Sequence, residues 1–255
     1  MINRRIENHM NKVASVTILF WIMKICATTL GETAGDLLSM TMNVGYAVSS
    51  MILFGLFLGS LAIQLFSQRF HPVIYWSVIL TTSTAGTTMS DYMDRTLGLG
   101  YATGSLILTT CLLMVLTIWH FSEKTLSVSN IKTVKVELFY WIAILFSNTL
   151  GTALGDFLAD DSGLGFLGSA TLIGGIISLI TLASFVTQLN RVMLFWVAFV
   201  LTRPFGATFG DFLTKPLENG GLGFGTIGSS IILTFILVAF VTYASRADKT
   251  THNGN

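Results

Sequence analysis

Trp21, Trp76, Trp141 and Trp196 each stand fifteen residues before an aspartate: Asp36, Asp91, Asp156 and Asp211. Ten residues after each tryptophan comes a glycine: Gly31, Gly86, Gly151 and Gly206. The aspartate spacings are 55, 65 and 55, and the extra ten residues fall in a polar connection at 122–136. Such a repeat constrains the fold more than any local signal, because whatever one unit forms the chain forms four times. The chain divides into a first half (1–121), the connection (122–136), a second half (137–246) and a polar tail (247–255), each half holding two units.

Every unit contains two apolar stretches. They lie near 13–39, 44–67, 73–94, 98–121, 137–159, 164–188, 192–214 and 222–245. A bilayer core about 30 Å thick needs roughly 20 mostly apolar residues per helix, and each stretch meets that length. Continuous apolarity favours helices over barrel strands, which alternate with period two. Only 11% of residues are charged and the mean hydropathy is +0.72. Soluble domains carry about 25% charged residues, so a soluble globular protein is excluded. The expected class is an all-α integral membrane protein with eight transmembrane helices in four parallel two-helix repeats. Because each unit crosses twice, all units enter with one orientation, and the halves relate by a rotation about the membrane normal, residue i matching i+120. The first stretch is too long for the apolar core of a cleaved leader and is read as a retained helix. Ten basic residues, among them Arg4, Arg5, Lys12 and Arg191, fall on the side of the termini, and only Arg95 and Lys215 on the other. That bias predicts cytoplasmic termini and a cell-membrane location.

Each first helix ends in a small, polar segment: 28–36, 83–91, 148–156 and 203–211. Glycine-rich entries to the second helices follow at Gly45, Gly100, Gly165 and Gly223, with about three extra residues near Pro216–Gly221 in the fourth unit. On these tryptophans and Gly-Asp endings the chain resembles bacterial membrane proteins built from four tandem two-helix repeats and catalogued as a repeat of unknown function. The resemblance covers roughly 13–245, and Ser90-Asp91 replaces Gly-Asp in the second unit. It implies the architecture and brings no activity with it.

Residues four apart share a helix face. Lys24, Thr28, Glu32 and Asp36 form one row; Ser83, Thr87, Asp91 and Arg95 a second; Asn148, Thr152, Asp156 and Asp160 a third; Arg203, Ala207, Asp211 and Lys215 a fourth. A charge at the bilayer centre costs at least about 2.5–3.5 kcal/mol, so such groups face the bundle interior and pair. At 1.5 Å per residue the aspartates lie about 22 Å beyond the tryptophans, toward the outer end, with Lys24, Glu32 and Arg203 deeper. Two readings of the aspartates stand. They cap the helix ends or pair with Arg95 and Lys215, or they line a cation path with Glu32, Thr28, Ser83 and Asn148 beside them. Lys24 and Arg203 break the symmetry, as counter-ions to the acids or as charge-coupling groups. The glycines permit close helix contact or local unwinding. Pro204 predicts a kink. The tryptophans anchor at the interface or pack.

No histidine lies among the acids, and no nucleophile–base pair, zinc motif or phosphate loop occurs, so no enzyme and no cofactor is expected. Cys26 and Cys111 form no framework, and the net charge of +1 gives no nucleic-acid partner. Any ion site is all oxygen and suits a hard cation or a proton. Five intramembrane acids (Glu32 and the four aspartates) against two bases (Lys24 and Arg203) leave a formal excess of three negative charges. The leading expectation is a transporter of a cation, a hard metal ion or a proton-coupled substrate, lined by the repeated aspartates. An ion channel and a non-transporting assembly or scaffold protein are the alternatives. The partners are the bilayer and a small ion or solute; a homo-oligomer is left open.

Overall fold

The computed structural model describes residues 12–253, so Arg4 and Arg5 lie outside the described residues. Eight α-helices follow one another, and no strand occurs among the described residues. They are α1 (Ile18–Asp36), α2 (Tyr46–Phe66), α3 (Pro72–Asp91), α4 (Tyr101–Glu123), α5 (Val134–Asp156), α6 (Gly165–Val186), α7 (Arg191–Thr214) and α8 (Gly225–Asn253). The start signals are local. Thr17, Thr133 and Asn190 accept hydrogen bonds from the first free N–H groups of α1, α5 and α7, and Pro72 opens α3, where its missing donor costs nothing. α7 runs unbroken through Pro204, and α8 continues as helix through the polar residues beyond 246.

The odd helices close a ring in the order α1, α3, α5, α7 and back to α1. Each even helix packs outside the ring against the odd helix of the following unit: α2 on α3, α4 on α5, α6 on α7 and α8 on α1. The repeats therefore interlock around a circle rather than standing as four separate hairpins. The ring has a tryptophan end, where the odd helices begin, and an aspartate end, where they finish.

Polarity is arranged inside out. Phe66, Leu106, Leu179, Phe185 and Phe235 on the even helices are all more than 65% exposed, a surface a water-soluble monomer does not present. Six helices, α2 and α4 through α8, are long and apolar enough to cross a membrane, which is compatible with a membrane protein. α1 and α3 fall short of that apolarity, although both were read as spans. The reason is their place in the ring: α1 carries Lys24, Glu32 and Asp36, and α3 carries seven hydroxyl residues between Thr81 and Ser90, nearly all facing protein. The ring helix α5 is 67% buried along its span and the outer helix α6 only 17%.

In three units the odd helix leaves its aspartate through a π-turn: Leu37–Thr41, Tyr92–Thr96 and Phe157–Asp161. The turn reverses through two left-handed residues, Asn43 and Gly45, Gly98 and Gly100, or Gly163 and Gly165. In the fourth unit the matching pair is Gly223 and Gly225. The even helix of that unit thus starts at Gly225, two residues beyond the glycine read as its entry. A short 3-10 turn, Leu217–Asn219, fills the longer connection.

Candidate functional site

Three levels of contact stitch the ring, and each repeats around the circle. At the tryptophan end, an aromatic residue of each unit meets the tryptophan of the next: Phe20 with Trp76 (5.7 Å between ring centroids), Tyr75 with Trp141 (5.5 Å), Tyr140 with Trp196 (6.4 Å) and Phe195 with Trp21 (5.8 Å). Trp76, Trp141 and Trp196 are buried. Of the two sequence readings, packing is the one realised; these indoles do not stand at the rim of the bundle.

At mid-height the glycines ten residues on meet the neighbouring helix. A Cβ on Gly31 would collide with Ser83, on Gly86 with the backbone of Asn148, on Gly151 with Arg203 and on Gly206 with Thr28. All four glycines stay within regular helix, so they serve close approach and not unwinding. The residues they press against are the row positions picked out by sequence.

Those rows, apart from Asp160, turn inward. Lys24 Nζ donates to Asn148 Oδ1 across the ring at 3.3 Å and lies 4.2 Å above the Phe199 ring. The Asn148 amide donates to Thr82 at 2.9 Å. One level further on, Arg203 reaches across from α7. Its Nη1 pairs with Glu32 at 2.9 Å, and its Nη2 donates to Thr87 (2.6 Å) and Thr152 (2.7 Å). Glu32 Oε2 also accepts from Thr87 and Thr152. Arg203 is fully buried, and its guanidinium spans the interior of the ring. The counter-ion expected for Arg203 is thus Glu32, whereas Lys24 makes no ion pair among the described residues and rests on an amide oxygen and a ring. Thr28 instead donates to the Thr202 carbonyl, and the Ser83 carbonyl accepts from Arg203.

The four aspartates converge at the far end, all buried. Asp36, Asp91 and Asp156 make no side-chain cap bond to the turns that follow them. Two bases hold them. Arg95 bridges Asp91 and Asp156, each at 3.0 Å. Lys215 bridges Asp211 at 3.0 Å and Asp36 at 2.9 Å. These bridges obey the i+120 relation throughout, Arg95 with Lys215 and Asp156 with Asp36. In each, one aspartate lies one turn back on the same helix and the other on the adjoining helix of the opposite half. Asp36 and Asp156, which have no base one turn on in sequence, are therefore neutralised in space as fully as Asp91 and Asp211. Counting Arg95 and Lys215, the axis holds five acids and four bases, and the expected excess of three negative charges falls to one.

Glu32, Asp36 and Asp211 bring carboxylate oxygens within 4.8 Å of one another, all three buried. Every donor here is a carboxylate or hydroxyl oxygen, which suits a hard cation. Asp160 stays exposed, off the axis. The i+4 spacing gave the pairing of Arg95 with Asp91 and of Lys215 with Asp211, but not the second partner of each base, Asp156 and Asp36. Sequence reasoning also missed Asp94, buried against Gly104 of α4 and bonded to Ser90 at 3.2 Å, which has no counterpart in the other units.

A family model described as Repeat of Unknown Function (DUF347) matches the chain four times, over residues 19–70, 74–125, 139–190 and 194–250. The chain belongs to this family. No curated protein and no solved structure matches it.

Proposed function

We propose that this chain is a transporter of the bacterial cell membrane, crossing it eight times with both termini cytoplasmic and carrying a cation along the axis of its helix ring. The observation that carries the reading is convergence: four repeats each deliver a buried aspartate to one axis. Four parallel helices also end there, and helix C-termini carry partial negative charge. The aspartate end is therefore an electronegative mouth whose charge is only partly met by Arg95 and Lys215. α1 and α3 count as spans because the ring and the even helices enclose them, and an enclosed helix need not be apolar. The ten-to-two distribution of basic residues sets the orientation.

A cation arriving at the mouth meets Asp36 and Asp211 with Lys215 between them. It competes with a tethered ammonium for the same oxygens, and Glu32, one turn deeper, completes three carboxylates. Hard ions such as manganese or magnesium, or a proton on one of the acids, fit that donor set. Farther in, Arg203 and the aromatic level fill the axis. A filled axis favours carriage by alternate opening over a standing channel. The bridging of separate units by Arg95 and Lys215 favours a structural reading of the acids, and one substitution separates the two. In liposomes, each Asp→Asn variant is expected to lose manganese flux while keeping wild-type thermal stability. Normal flux in all four variants would leave only the scaffold reading. Topology is checked separately: a cysteine placed at Lys132 is expected to label only from the cytoplasmic face.

A further inference from the structure

Residues 12–17 and 126–138 lie outside the four repeat matches, and both pack against the tryptophan end of the ring. Thr17 caps α1. Five residues earlier, Lys12 is tied to α5 and to the connection before it: its Nζ pairs with Glu137 at 2.7 Å, and its backbone N–H donates to the Ile131 carbonyl at 3.2 Å. In the ring order α1 and α5 are diagonal neighbours. Helices pack 8–10 Å apart, so the diagonal is roughly 13 Å. Five residue steps span at most roughly 17 Å, so this strap is long enough to cross the end of the ring from α1 toward α5. Its own Val13 and Ala14 are buried against the core.

Its fastening is polar and enclosed. Gln64, at the end of α2, donates to Glu137 Oε1 at 2.9 Å and to the Lys12 carbonyl at 3.1 Å. Lys12 Nζ also donates to the Leu65 carbonyl. The side chain of Glu137 is 0% exposed and that of Lys12 9%. A buried ion pair adds little stability over an apolar contact, but removing one partner leaves a costly unpaired charge. Such a pair is poor glue and a good two-position fastener. Its placement repeats that of the ion bridges at the other end. Lys12 and Gln64 belong to the first half and Glu137 to the second, as Arg95 joins Asp156 and Lys215 joins Asp36 across the halves. Ion pairs thus span the half-to-half boundary at each end of the axis, and a rocking that separates the halves at either end parts them.

The geometry points to a gate: the Lys12–Glu137 pair latches the strap over the tryptophan end, and its release admits that face to the axis. This rests on the alternate-opening reading above, but its test needs no transported ion. Ile79, fully buried beside the aromatic level, is replaced by cysteine in a Cys26→Ala, Cys111→Ala background, and a membrane-impermeant maleimide is applied to each face in turn. Glu137→Gln is expected to raise labelling from the strap face by about tenfold, the size of a modest population shift. The swap Lys12→Glu with Glu137→Lys is expected to restore protection. Unchanged labelling in Glu137→Gln would overturn the gate. So would fast labelling that the swap fails to restore, because that marks a loosened fold rather than a released latch. A labelling change without manganese flux in the parent would retain the gate and remove the cation.

Discussion

In the proposed function, Lys215 occupies the place of the cation. Its ammonium contacts Asp36 and Asp211, and Glu32 closes the group from one turn deeper. Removing it should uncover the oxygens without disturbing the helices that hold them, because Lys215 follows the last residue of α7. Lys215→Met is therefore expected to bind manganese at least about tenfold more tightly in detergent solution, since three carboxylates lose their internal competitor. Adding Asp211→Asn should return affinity to the parental range. Manganese titration calorimetry reads both, and an unchanged affinity in the single variant would mean that these acids take no ion. The glycines pose the opposite case, where no charge is at stake. A methyl on Gly206 meets the side chain of Thr28 on the neighbouring helix, which is itself pinned by its bond to the Thr202 carbonyl. Gly206→Ala should cost about 1–3 kcal/mol, the usual range for overpacking. Gly175, which faces open space, should tolerate alanine, and thermal melting of the two variants side by side decides the matter.

At the scale of elements, the turn between odd and even helices needs two residues in the left-handed region. Gly98 and Gly100 adopt φ of +72° and +74°, where a Cβ costs roughly 1–2 kcal/mol. Gly100→Ala should lower the melting temperature, and the same change at Gly59, inside α2 and facing open space, should not. The rows of polar residues were legible in sequence because i+4 spacing on a helix puts Lys24, Glu32 and Asp36 on one face whatever surrounds them. The π-turns were not, since Leu37–Thr41 and Phe157–Asp161 share no residue pattern that dictates a wider helical turn. The span reading of α1 and α3 carried no sign of their lower apolarity, because that follows from enclosure and enclosure depends on ring order. The latch was invisible for a related reason. Lys12 and Glu137 lie 125 residues apart, outside any shared periodicity, and only the fold makes them neighbours.

At the scale of the whole molecule, the outer layer around the ring is closed by the last helix. α8 packs on α1, and Ser230 Oγ donates to Thr33 Oγ1 at 2.9 Å in a buried contact. The same interlocking that seats α2 on α3 thus joins the last unit to the first. Two hydroxyls in hydrogen-bond contact place their Cβ atoms close to the roughly 3.5–4.5 Å that a disulfide requires. Thr33→Cys with Ser230→Cys, in a background lacking Cys26 and Cys111, should therefore oxidise readily. A protease site in the exposed stretch at Lys124–Thr125 then reports which chains are joined. After cleavage, the two halves should migrate together without reductant and separately with it, at the mass of a single chain. A product of twice that mass would mean that α8 closes onto the α1 of a second copy, because an interlocked repeat can exchange its terminal helix at little cost in contacts. Halves that separate without reductant would mean that α8 does not seat on α1, and would remove the interlocking of the last unit with the first.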